Sequence, residues 1–173
     1  MKIVRSTLAF LREPLLVPVI VGCVLAFVLI AAVQMISTVA YAPHAEKPMA
    51  ERMEAMAKME QDPTAMKAWL ETLPVGAMLL VLASWQLGAF GGGFASALLA
   101  GRAPSIHGGI IGGLVLAATI YNFFNMKRLC DFSHPDWMIV AGLLLPLPMS
   151  LLGGKLVSML IPPPQTPPAA SYP

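Results

Sequence analysis

Long stretches without formal charge constrain this chain more than any motif does. No Asp, Glu, Lys or Arg falls between Glu13 and Glu46, between Glu71 and Arg102, or from Ala103 to Met126. A fourth stretch, from Trp137 towards Ile161, holds only Lys155. About 20 apolar residues cross the hydrocarbon core of a bilayer, so the pattern predicts four spans at 15–38, 74–99, 105–124 and 137–160. Backbone in lipid must satisfy its own hydrogen bonds, which makes these spans helices. The expected fold is an all-α polytopic membrane protein. Composition agrees: 57% of residues are hydrophobic and 12% charged, about half the roughly 25% charge of a soluble domain. The lipid bilayer is therefore the first partner, and a net charge of +2 gives no footprint for nucleic acid.

Prolines mark the boundaries. Pro74 and Pro104 sit where a first helical turn tolerates a missing N–H. Pro146 and Pro148 fall inside the fourth span, where each frees a carbonyl, and they should bend it. Pro162, Pro163 and Pro164 end that helix, and the tail 162–173 reads as extended and disordered. Lys2, Arg5 and Arg12 crowd the start of the first span, whereas the nearest basic residue after it is Lys47. This bias places both chain ends in the cytoplasm, although basic residues counted over all loops are nearly level. Residues 1–12 suit a short interfacial helix. Ala40-Tyr41-Ala42 resembles a signal-peptidase site, but the apolar run before it exceeds the roughly 7–15 residues of a signal h-region, so the helix is expected to be retained.

The loop 39–73 should lie outside the cytoplasm. Residues 48–61 read as a helix, Asp62-Pro63 as a break with an N-cap, and a second short helix follows through Trp69. Met49, Met53, Met56 and Met59 recur there at helical spacing, with His44 before them. One reading is an apolar stripe resting on membrane or protein. The other is a Cu(I) site, since thioethers are soft ligands. Asp131, His134 and Asp136 cluster near Cys130 in the third loop, where a rigid cap on the fourth helix competes with a metal site. Cys23 and Cys130 should lie at different depths and remain unpaired.

Glycine supplies the strongest pattern. Gly88-Gly92-Ser96 and Ala89-Gly93-Ala97-Gly101 form two small-residue rows on the second span, and Gly108-Gly112 and Gly109-Gly113-Ala117 answer on the third. Small residues let helix backbones approach closely in lipid, so the second and third spans are expected to form a tight antiparallel hairpin. The same rows could instead serve a homo-oligomer or a membrane-protein partner. Gln86 is an amide near the middle of a span and should make an interhelical hydrogen bond. Lys155 should snorkel to the interface, and His107 should sit at one. No span carries Asp, Glu or Arg, which argues against proton-coupled transport. No nucleophile–base set appears either, so neither catalytic residues nor a cofactor are assigned.

Residues 74–97 (PVGAMLLVLASWQLGAFGGGFASA), then His134-Pro135-Asp136-Trp137-Met138, then 146–155 with Gly153-Gly154-Lys155, resemble a family of small bacterial four-helix membrane proteins with a hydrophilic loop after the first helix. The resemblance covers the last three spans. It implies that fold and a bacterial inner-membrane location, and it brings no activity. The Met-rich loop and the proline tail depart from it. The leading expectation is a structural or accessory subunit packing through glycine faces; the alternative is a transport or copper-handling protein using the Met-rich loop.

Overall fold

A computed structural model describes residues 16–41, 47–101 and 103–161. The expected interfacial helix at 1–12, the candidate ligand His44, Arg102 and the tail 162–173 lie outside the described residues. The described chain is helical throughout: α1 (Leu16–Tyr41), α2 (Met49–Glu60), α3 (Pro63–Thr72), α4 (Val75–Ala100), α5 (Pro104–Cys130), α6 (Asp136–Leu144) and α7 (Pro146–Leu160). Four helical stretches are long and apolar enough to cross a membrane: α1, α4, α5, and α6 with α7 taken together. At 1.5 Å per residue, the 26 residues of α1 extend about 39 Å, more than the hydrocarbon core of about 30 Å. The protein is a polytopic α-helical membrane protein.

α1 runs past its expected end at 38 to Tyr41, and α5 overshoots further, because helix termination follows caps rather than loss of hydropathy. α5 runs on past the expected limit at 124 to Cys130. Lys127 and Arg128 stand in its last turn, where positive charge suits the helix dipole. It stops only when Asp131 enters the left-handed region at φ 51. α4 ends on Gly101 at φ 62, whose N–H bonds the Ala97 carbonyl at 3.2 Å. Glycine adopts that conformation without steric cost. Ala103 is also left-handed, at φ 47, and its Cβ makes that turn strained.

The fourth span breaks at Leu145. Pro146 cannot donate to the Gly142 carbonyl, nor Pro148 to Leu144, since proline has no N–H. The Leu145 N–H still reaches Ala141, and the Met149 N–H reaches Leu145, both at 3.0 Å. The helix therefore bends without unravelling. In the connection between α1 and α4, Asp62 caps α3 as its sequence predicts: Oδ1 accepts from the backbone N–H of Thr64 at 2.9 Å and of Ala65 at 3.2 Å. α3 buries Leu70 against Cys130 and Phe132. Arg52 ties α2 to α1, donating from Nη1 to the Val39 carbonyl at 3.0 Å, one of the last four carbonyls of α1, which have no partner within their own helix.

The bundle has two unlike ends. Close backbone approaches order the helices: Gly22 on Gly92 and Ala26 on Gly88 make α1 and α4 antiparallel, and Gly108 on Ser150 and Gly112 on Leu147 do the same for α5 and α7. Trp85 on Gly142 and Gly93 on Ser150 run α4 parallel to the fourth span. The short connection between α4 and α5 marks one end, here the turn end. The connections before α4 and after α5 gather at the other, the loop end. Ala26, Ala89, Ile111 and Val115 close the middle.

Candidate functional site

The glycine rows engage different neighbours from those expected. α4 and α5 are antiparallel neighbours, but their glycines do not face one another. Gly88 and Gly92 receive α1: a Cβ on Gly88 would stand 2.7 Å from the Ala26 carbonyl, and one on Gly92 would stand 2.6 Å from the Gly22 carbonyl. Gly93 receives Ser150 of α7, with the Ser150 carbonyl 2.5 Å from such a Cβ. On α5, Gly108 and Gly112 also face α7, at Ser150 and Leu147. What joins α4 to α5 is Ile111, whose methyl groups fill the space above Gly92 and Gly22. The second α5 row is left open: Gly113 has nothing within 4 Å and Gly109 meets only the tip of Leu151. The expectation of a hairpin held by matching glycine faces is therefore corrected. α7 is the hub, because Gly153 and Gly154 let it press against α4 at Phe90 and Phe94 and against α5 at Pro104. Periodicity identified the small faces; it carries no information about which helix each one meets.

Ser150 shows how this close approach handles polar groups. Its hydroxyl donates across the interface to the Gly108 carbonyl at 2.7 Å, a bond that only glycine at 93 and 108 leaves room for. Gln86 lies two turns before Gly93, on the same face at about 3.6 residues per turn, and so points at the fourth span near its break. Its Nε2 and Oε1 are both buried without a partner, so the expected interhelical hydrogen bond is absent among the described residues. His107 is buried at 1% exposure rather than lying at an interface. Its Nδ1 stands 3.1 Å from the Ala103 carbonyl; a carbonyl only accepts, so Nδ1 is the donor. His107 Nε2 and the Ser96 hydroxyl are both buried and unpartnered, each one turn from the Gly92–Ile111 contact.

A hollow of about 190 Å3 occupies the loop end. α1 supplies Gln34, Ser37, Thr38 and Tyr41, α5 supplies Asn122, and the connection after α5 supplies His134. Trp85 and Met138 form its floor, and Trp69 and Phe132 close over it. The four α1 residues follow an i, i+3, i+4, i+7 pattern, one face of a helix, and that pattern was the readable signal for this site. Their hydrogen bonding is almost unused. Gln34 Nε2 reaches Ser84 Oγ at 3.5 Å, a long contact, and Ser84 itself donates to the Val81 carbonyl at 2.6 Å. Ser37, Thr38, Tyr41, Asn122 and His134 make no side-chain hydrogen bond among the described residues. His134 instead packs edge-on against Phe123 and Phe132, with ring centroids at 4.8 and 5.1 Å. Burial holds its imidazole below the ordinary value of 6.5, so it is neutral at pH 7.

Charge is confined to the rim. Asp131 pairs with Lys127 at 2.5 Å and with Lys67 of α3 at 3.1 Å. Hydrogen bonds from Lys127 and Lys67 pull the Asp131 carboxyl below its usual range. Asp131 is thus a tether for α3, and no cluster of three His, Cys, Asp or Glu able to hold a metal occurs among the described residues. Met49 and Met53 are exposed, while Met56 and Met59 are half-buried. The Arg52 guanidinium lies 3.8 Å from the Met49 sulfur, which sets a positive charge beside one of the four thioethers. Cys23 and Cys130 are free thiols.

Fold and site together define a small polytopic membrane protein with a glycine-packed turn end and a polar-lined hollow at the loop end. No protein-family model, curated protein or solved structure matches the chain.

Proposed function

We propose that the chain is a non-catalytic accessory subunit of a bacterial inner membrane, with both ends cytoplasmic, α2 and α3 on the outer face, and a membrane-protein partner or a second copy as its client. One observation carries this reading. The other small-residue rows are filled by a neighbouring helix, whereas Gly109 and Gly113 stand open on α5 beside an exposed Ala117. Small residues on a lipid-facing surface leave a furrow that lipid fills poorly and another helix fills well. The closed centre at Ala26, Ala89, Ile111 and Val115 favours this reading over a transport path.

The experiment is co-purification in mild detergent with Gly113→Leu beside the unaltered chain. Leu at 113 meets nothing inside the bundle, so thermal stability should stay the same while the associated protein, or the dimer, is lost. Retention of every associate by a stable Gly113→Leu would overturn the reading. The copper alternative predicts that the purified chain retains Cu(I) and loses it in Met53→Leu with Met56→Leu. The Arg52 cation against Met49 favours the outcome without copper.

A further inference from the structure

Beyond that reading, we infer that the loop-end hollow binds an uncharged, ring-sized headgroup with hydrogen-bond acceptors on opposite sides, the chemistry of a membrane quinone. Three observations point there. The first is size: about 190 Å3 exceeds the roughly 150 Å3 of an engineered apolar cavity that holds benzene. The second is unspent hydrogen bonding from two walls. Gln34, Ser37, Thr38 and Tyr41 present amide and hydroxyl donors from α1, while Asn122 and His134 present theirs from α5 and the segment after it. Ser37 is 6% exposed and makes no side-chain hydrogen bond among the described residues, so its hydroxyl is free to donate to a molecule in the hollow. A ring bearing carbonyls at opposite positions would accept from both walls at once.

The third observation is charge. No lining residue carries a formal charge at neutral pH: Lys67, Lys127 and Asp131 stand at the rim, where one carboxylate engages both lysines, and burial disfavours the charged form of His134. An anionic headgroup would find no counter-ion among the lining residues, and a cationic one no carboxylate. The walls between the donors are aromatic or thioether, from Trp85, Phe132 and Met138, and suit a flat ring. Asn122 lines the hollow and is itself exposed, so the hollow is open on its α5 side, where a hydrocarbon tail can stay outside while the ring enters.

The full chain in nanodiscs tests this, carrying Trp137→Phe so that fluorescence comes from Trp69 and Trp85 in the hollow. The probes are a decyl-substituted benzoquinone, the same ring without the tail, and decanol. The expected result is saturable quenching by the tailed ring at one molecule per chain, displacement by the bare ring at higher concentration, and none by decanol. Gln34→Leu and His134→Phe should each weaken binding at least tenfold. Ser37→Met, which fills the hollow, should abolish it, and Ala77→Leu fills it from α4 should Ser37→Met fail to fold. Quenching that never saturates, displacement by decanol as effective as by the ring, or full binding by a folded cavity-filled variant would each overturn the inference. Because the readout is ligand binding, its failure leaves the co-purification test at Gly113 untouched, and the reverse holds as well.

Discussion

Gly153→Ala and Gly113→Ala add the same methyl group to two transmembrane helices, and the structure gives them opposite signs. At Gly153 the new Cβ would fall on the Phe90 carbonyl oxygen and 2.9 Å from the Phe94 nitrogen. Both are backbone atoms of α4, so no side chain can swing away. Ordinary contact lies at 3.4–4 Å, and α7 must withdraw by roughly 0.5–1 Å along a face that also seats Ser150 on Gly93. Forcing a methyl into packed space costs about 1–3 kcal/mol. Alanine returns up to about 1 kcal/mol through its helix propensity. At Gly113 nothing lies within 4 Å, so only the propensity gain remains. The two variants should differ by about 1–3 kcal/mol, with Gly153→Ala below the unaltered chain and Gly113→Ala level with it or above. Reversible unfolding in mixed micelles of mild detergent and dodecyl sulfate, followed by helical circular dichroism, measures both. Equal stabilities for the two variants would refute the placement of α7 as the hub.

Gln86→Leu should raise the unfolding midpoint in the same assay, because a buried amide lacking partners costs about 1–3 kcal/mol; a lower midpoint would mean that Gln86 pairs with the carbonyls freed at the break. His134 should make the loop end sensitive to mild acid. Its folded pKa is depressed by burial, so its stabilising contribution is complete above the unfolded value near 6.5 and declines as pH falls below it. Acrylamide quenching of Trp69 should therefore increase below pH 6.5 in the unaltered chain and stay flat in His134→Phe over that range, since Asp131, also depressed by its lysine partners, gives way only below about pH 3.8.

Span number was legible because charge is excluded from lipid by a large free-energy cost, and that rule acts on single residues: Glu13, Glu71 and Asp136 each mark a limit. Local chemistry was equally legible, since the Asp62 cap and the Pro146 break depend on neighbours a few positions away. Helix pairing was not. Gly88 and Gly93 belong to adjacent small-residue rows on α4, yet one meets Ala26 and the other Ser150. Nothing in either row records the partner, which is set by how all four spans fit at once. The hollow was hidden for the same reason: its polar groups lie on separate segments, at Gln34, Asn122 and His134, and only the folded bundle brings them together.

Tight and hollow ends then follow from one cause. The glycines that bring backbones together lie towards the turn end, at Gly22, Gly92, Gly108 and Gly153, where carbonyls and Cα atoms of neighbouring helices touch. Towards the loop end the interhelical positions carry Trp85, Met78, Met126 and Phe123 instead, and Gly76 there meets only the Tyr41 hydroxyl. Large side chains hold the helices apart, and their irregular outlines leave space between α1 and α5. An apolar lining would let that space close by repacking, at a cost set by the surrounding rotamers. Polar groups change the balance: bringing Ser37, Gln34 and Asn122 together with no water or ligand between them would strand their unused donors. The hollow persists, on this argument, because its walls have unmet hydrogen bonds, and the same feature makes it selective for an occupant that accepts them.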